Sequence, residues 1–282
     1  MITAPAVRAR KGAAEPLVMV TAYDAPGARI ADEAGVDVIL VGDSVAMVVL
    51  GYDDTLQVTI DDMAHHVAAV ARAQPRALVV GDLPWLSYHV SVDDTVRNAA
   101  ALVRAGAQAV KLEGGAKRVP MVEAIVHAEI PVMGHVGLTP QSVHAMGGFK
   151  VQGKEAGAAE ALVADALALA DAGCFSIVLE GVPDAVARMV TEAVPVPTIG
   201  IGAGPWCDGQ VLVIHDLLGM EDRIVPKFVR RYANLKADAV AAIAAYADDV
   251  RAGRFPSAGE SYHLTDDVAE ALGLYGSATK TA

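Results

Sequence analysis

Short, largely apolar runs alternate along this chain with stretches in which apolar positions recur at helical spacing. The runs cover 17–22, 36–42, 77–81, 109–112, 131–133, 175–179, 198–201 and 210–215. Helical patterns lie between them at 26–34, 60–72, 92–105, 119–128, 155–172 and 183–194, and 226–252 reads as a closing helix or helix pair. Gly35, Gly106 and Gly173 stand where helices should stop. Runs that are continuous rather than alternating belong to strands buried on both faces, which is the habit of parallel sheets. Eight such strands separated by helices predict an α/β fold, a single-domain (β/α)8 TIM barrel. A doubly wound open sheet is the rival; the count of eight, with no linker or break in composition, favours the barrel. Residues 1–16 read as an irregular, flexible segment, 17–257 as the barrel domain, and 258–282 as a C-terminal extension whose last part, 276–282, reads as disordered.

Composition narrows the class of protein. Hydrophobic residues make up 54% and charged residues 20%, a globular balance. The net charge of −12, with no basic stripe, argues against nucleic acid or an anionic membrane as partner. No apolar run is long enough to span a bilayer, and no apolar segment follows Arg8, Arg10 and Lys11 as it would in a secretory signal, so a cytoplasmic location is expected. Cys174 and Cys207 are too few and too scattered for a disulfide framework.

A barrel of this kind carries its chemistry at the C-terminal ends of its strands. The second run ends in Asp43 and Ser44, the third in Asp82, the fourth in Lys111 and Glu113, the fifth in His135 and the sixth in Glu180. One carboxylate at a strand end commonly just caps the next helix. Four of them, with a lysine between two, are hard to assign to capping alone. Buried like charges repel unless a cation joins them, and all-oxygen donors favour Mg²⁺ over Zn²⁺. Lys111 and Glu113 are two residues apart on a strand and so share a face. Lys111 there can hold an anionic substrate, or simply pair with Glu113 or a neighbouring Asp. His65 and His66 are adjacent on a helix and point apart, which makes them no joint metal site. Asp61 and Asp62 begin that helix and suit its dipole without further purpose. The glycines of 200–204 lack dinucleotide-binding spacing; they sit where barrels often bind phosphate, or form a tight turn.

The stretches TAYDA (21–25), VGDS (41–44), GDLPW (81–85), AVKLEGG (109–115), GHVGLTPQSV (134–143), GGFKVQGK (147–154), LEGVP (179–183), GIGAGPWCDGQVLV (200–213) and FVRRYANL (228–235) together resemble the ketopantoate hydroxymethyltransferase family over about 17–257. The resemblance implies a Mg²⁺ enzyme with 3-methyl-2-oxobutanoate and 5,10-methylenetetrahydrofolate as substrates, yielding 2-dehydropantoate and tetrahydrofolate for pantothenate, the precursor of coenzyme A. It implies metal ligation by residues matching Asp43, Asp82 and Glu113, the last directly or through water. It also implies oxo-acid contacts by Asp43, Ser44, Asp82 and Lys111, a base matching Glu180, an active-site His matching His135, and a homodecamer of two pentameric rings. The chain departs from the family pattern at Val45–Ala46, at Gly81 and at 259–263, and only the last places a contact in doubt.

Two other readings compete. Carbon–carbon lyases or mutases of the phosphoenolpyruvate mutase type use a similar Mg²⁺–oxo-acid platform, but they place a reactive Cys after the fourth strand, and 114–119 contains none. A non-enzymatic barrel that only binds an oxo acid would leave Glu180 beside a metal site without a purpose.

Overall fold

A computed structural model describes residues 1–223 and 226–274. The chain divides into two compact units, Met1–Ala233 and Asn234–Ala282. The first contains α1 (Ala4–Arg8), β1 (Leu17–Thr21), α2 (Ala25–Glu33), β2 (Val38–Val41), α3 (Val45–Val48), α4 (Ile60–Ala71), β3 (Leu78–Asp82), α5 (Val92–Ala105), β4 (Ala109–Glu113), α6 (Val119–His127), β5 (Val132–Gly137), α7 (Val143–Met146), α8 (Ala156–Asp171), β6 (Ser176–Glu180), α9 (Asp184–Ala193), β7 (Thr198–Ile201), β8 (Gly209–Leu212) and α10 (Ile214–Leu217). The second contains α11 (Leu235–Arg251) and α12 (Asp266–Ala271).

The eight strands are parallel and close into a barrel in sequence order, β8 pairing with β1. This is the expected (β/α)8 TIM barrel. Alternation along each strand sorts the apolar residues into two cores. One set, including Val20, Ile39, Val79, Val110, Leu112 and Ile177, faces outward onto the helices. The other, including Leu17, Met19, Val38, Leu40, Leu78, Val80, Ala109, Met133, Val178, Ile199 and Val211, fills the barrel interior. Local signals agree with the packing. Thr59 and Asp62 form a reciprocal capping box at the start of α4, so the carboxylate of Asp62 is structural. Ser91 caps α5, and Gly106 ends it in a left-handed conformation.

Several boundaries differ from the sequence reading. The segment 1–16 is not irregular throughout: α1 forms after the Thr3 cap, and Ala4 and Val7 join the interior core. The main-chain N–H of Ile2 donates to the carbonyl of Arg76, just ahead of β3, which places α1 at the N-terminal end of the barrel. The eighth strand ends at Leu212, and His215 lies in α10 rather than in a strand. The closing helix over 226–252 is confined to α11, and 226–234 is not helical. The expected disordered tail, 276–282, lies outside the described residues.

Candidate functional site

The site is built by strand parity. In β3, β4, β5 and β6 the residues that continue the interior rows above the apolar layers are Asp82, Lys111 with Glu113, His135, and Glu180. The barrel register sets them side by side: Asp82 is opposite Lys111, Glu113 opposite His135, and Gly137 opposite Glu180. Asp43 and Ser44 enter just past β2, where the chain turns into α3. Asp43, Asp82, Lys111, Glu113 and His135 are all buried, and every sequence-predicted site residue lines one cavity of about 980 Å3. Glu180 is held by a close crossing of β5 and β6. Gly137 has φ +97°, the N–H of Leu138 donates to the Glu180 carbonyl at 2.8 Å, and a Cβ on Gly137 would lie 2.3 Å from that oxygen. Only glycine fits there.

The contacts form a charged chain across the floor. Lys111 Nζ donates to both oxygens of Asp82, at 2.7 and 2.8 Å, and lies 3.9 Å from Glu113 Oε1. The main-chain N–H of Asp43 points to Asp82 Oδ2 at 3.3 Å. His135 sits between two carboxylates, with Nδ1 3.3 Å from Glu113 Oε1 and Nε2 3.3 Å from Glu180 Oε2. Both are ion-pair distances without hydrogen-bond alignment. Ser44 Oγ meets the hydroxyl of Tyr23 at 2.9 Å. His66 meets the Tyr23 carbonyl through Nδ1 at 2.8 Å, and its ring stands edge-on to that of His65. Cys174 and Cys207 are free, buried thiols.

Burial makes these charges interdependent. It pushes the Asp43 carboxyl well above the usual carboxylate range, and repulsion from Asp82 and Glu113 adds to the effect. Burial drives Asp82 the same way, against the pull of Lys111. Burial opposes charge on Lys111 and His135, but their carboxylate neighbours win. Lys111 is raised chiefly by Asp82, and His135 is raised to about 9 chiefly by Glu113. Glu113, opposed by burial in its turn, is held below its ordinary value by His135 and Lys111.

With Lys111 and His135 charged, the four carboxylates Asp43, Asp82, Glu113 and Glu180 carry, once all are ionised, a formal excess of two negative charges, and their mutual repulsion opposes that state until a cation joins them. A single divalent cation matches that excess, and the oxygen-only carboxylate donors suit Mg²⁺. Asp43 and Asp82 are the adjacent pair, whereas Glu113 is turned toward His135 and Lys111. Among the described residues no group of three or more His, Cys, Asp and Glu side chains forms a ready metal cage.

Sequence reasoning missed two residues that the structure ties to this floor. Gln141, in the 3-10 turn Pro140–Ser142 after β5, donates its side-chain amide to Asp43 Oδ2 at 2.9 Å. Tyr88 donates its hydroxyl to Gln141 Oε1 at 2.6 Å. The GLTPQSV stretch marked Gln141 as part of an unusual motif, but nothing in the sequence says which carboxylate it meets. Among the described residues no helix is long and apolar enough to cross a membrane.

The family model for ketopantoate hydroxymethyltransferase matches residues 1–258. A 3-methyl-2-oxobutanoate hydroxymethyltransferase of Methylobacterium sp. (strain 4-46) is 59% identical over 96% of this chain and 94% of its own. One of the same name from Oleidesulfovibrio alaskensis is 57% identical over 94% and 92%. Among solved structures, phosphoenolpyruvate phosphomutase from Streptomyces platensis subsp. rosaceus superposes with a TM-score of 0.59 at 17% identity, covering 96% of this chain and 95% of that one. At that identity the likeness is one of fold alone. The match across nearly the whole barrel, with relatives above half identical, makes this chain a member of the ketopantoate hydroxymethyltransferase family.

Proposed function

We propose that this enzyme adds a hydroxymethyl group to 3-methyl-2-oxobutanoate, its carbon from 5,10-methylenetetrahydrofolate and its oxygen from water, giving 2-dehydropantoate and tetrahydrofolate in cytoplasmic pantothenate biosynthesis, with Mg²⁺ as its cofactor. The observation that carries this reading is the buried floor of Asp43, Asp82, Lys111, Glu113 and His135 with Glu180 at its edge, in a chain of that family. Asp43 and Asp82, with Glu113 directly or through water, would hold the ion. When bound, Mg²⁺ polarises the keto oxygen of the substrate as a Lewis acid and steadies charge on the enolate.

The protein's own groups account for the rest. Lys111 spends two of its three N–H donors on Asp82, and the third is left for the anionic end of the oxo acid. Ser44, placed by Tyr23, offers a hydroxyl on the Asp43 side of the same cavity. Glu180 takes the proton from C3 of the oxo acid. Water opens the methylene bridge of the folate: its oxygen bonds to the methylene carbon, both carbon–nitrogen bonds break, and the two nitrogens take protons, giving tetrahydrofolate and a one-carbon unit at the formaldehyde level. The carbanionic C3 then bonds to that carbon, and the oxygen brought by water takes a proton and becomes the hydroxyl of 2-dehydropantoate. His135 Nε2 lies against Glu180 Oε2 and holds that carboxylate at the edge of the floor. The family likeness further supports a homodecamer.

The test is exchange of the C3 proton of 3-methyl-2-oxobutanoate into heavy water, with and without Mg²⁺. Glu180→Gln keeps the shape and removes the basicity, so exchange should fall by about a hundredfold while oxo-acid binding persists. Wild-type exchange in the variant would assign the base elsewhere, and metal-independent exchange in the wild type would remove Mg²⁺ from the reaction.

A further inference from the structure

Gln141 and Tyr88 are both buried, yet neither lines the cavity. They stand behind its wall, and their hydrogen bonds run in one direction. The main-chain N–H of Glu113 donates to the Tyr88 hydroxyl at 3.2 Å, so that hydroxyl uses its own proton on Gln141 Oε1. With its oxygen fixed in this way, the Gln141 amide must turn its nitrogen the other way. Its two N–H bonds go to Asp43 Oδ2 at 2.9 Å and to the Leu83 carbonyl at 3.0 Å. The main-chain N–H of Gln141 adds a bond to Glu113 Oε2 at 3.1 Å. Each polar atom of the residue's side chain therefore has a partner, and the amide has one orientation. A relay of this kind is polarised along its length, which strengthens the donor at its end.

We propose that Gln141, oriented by Tyr88, is a positioning residue for the divalent cation. It engages Asp43 Oδ2, leaves Oδ1 as the oxygen free to meet the ion, and ties the end of β2 to the end of β4. This rests on the reading of Asp43 and Glu113 as part of the cation site. The physical warrant is that partners behind metal ligands set ligand orientation, and that their loss weakens metal binding without touching the ion. Gln141 is suited to the task because it donates without adding charge; a carboxylate at that position would repel Asp43.

The experiment is direct titration of the full-length protein with Mn²⁺, reading free Mn²⁺ by electron paramagnetic resonance in the absence of substrates, alongside thermal melting. Gln141→Met keeps the length and loses the donors. Tyr88→Phe keeps the ring and loses the hydroxyl that sets the amide. We expect Mn²⁺ affinity to fall about tenfold or more in Gln141→Met and about threefold or more in Tyr88→Phe. In turnover the loss should appear in the KM for metal and oxo acid rather than in kcat. A purely structural role would lower the melting temperature and leave the affinity of the folded protein unchanged. Mn²⁺ affinity within twofold of wild type in folded Gln141→Met overturns the inference. Should that variant not fold, Tyr88→Phe decides by the same criterion. A wild-type protein that binds no Mn²⁺ overturns the underlying reading of the carboxylates, a result visible before any variant is made.

Discussion

Replacing Lys111 with Met removes the cation at the centre of the floor and keeps the length of the stem. In the wild type the ammonium lies 2.7 and 2.8 Å from the two oxygens of Asp82, and both side chains are almost wholly buried. Breaking a buried pair from one side costs about 3–5 kcal/mol, because the other charge is left unpaired. Proton uptake sets a ceiling on that cost. Starting from an ordinary carboxyl value of 3.8, neutralising Asp82 at pH 7 costs roughly 4.4 kcal/mol at about 1.36 kcal/mol per pH unit. The expected destabilisation is therefore about 3–4 kcal/mol at pH 7 in metal-free buffer. The folded variant then carries a proton that the unfolded chain has released. Its stability accordingly falls as pH rises above the unfolded value, and its deficit shrinks toward pH 5, by up to roughly 2.7 kcal/mol. Urea unfolding followed by circular dichroism, with chelator and at one protein concentration, measures both quantities. A deficit under about 1 kcal/mol at pH 7, or one that grows on acidification, would refute this account of the floor.

Asp82→Ala should abolish Mg²⁺-dependent turnover and leave Lys111 without its main partner; full activity with Mg²⁺ would remove Asp82 from the site. Gly137→Ala sets a Cβ against the Glu180 carbonyl in a left-handed backbone, so a loss of about 3 kcal/mol or more is expected by thermal melting, together with slower C3 exchange. Light scattering at micromolar concentration should give a mass several times the 29.1 kDa of one chain, and a monomeric mass would contradict the proposed assembly.

Much of this site could be read in the sequence because strand parity is a one-dimensional signal. Lys111 and Glu113, two apart in an apolar strand, had to share the barrel interior, and the structure places both there. Asp82, His135 and Glu180 end their own apolar runs in the same way. Gln141 and Tyr88 gave no such signal. They come from connections after β5 and β3, and only the closed barrel brings them to Asp43 and Glu113. The misreading of 210–215 has a related cause: a short apolar run does not distinguish strand from helix, and here it continues into α10. The start of the chain misled for the opposite reason. Residues 4–8 look like a frayed end until a core is present for Ala4 and Val7 to complete.

That small helix has a kinetic corollary. With α1 and the apolar layers filling the lower end of the barrel, the charged floor is a blind alley, entered from the side where the strands finish. Two substrates that meet in a blind alley must queue. In the proposed reaction the small oxo acid, seated on the floor, would have to arrive before the bulkier folate covers it, and tetrahydrofolate would have to depart before 2-dehydropantoate. The order of traffic is then imposed by the closed floor and not by any difference in affinity. Product inhibition would register it, with 2-dehydropantoate competing against the oxo acid alone; tetrahydrofolate competing against the folate instead would mean that the queue runs the other way.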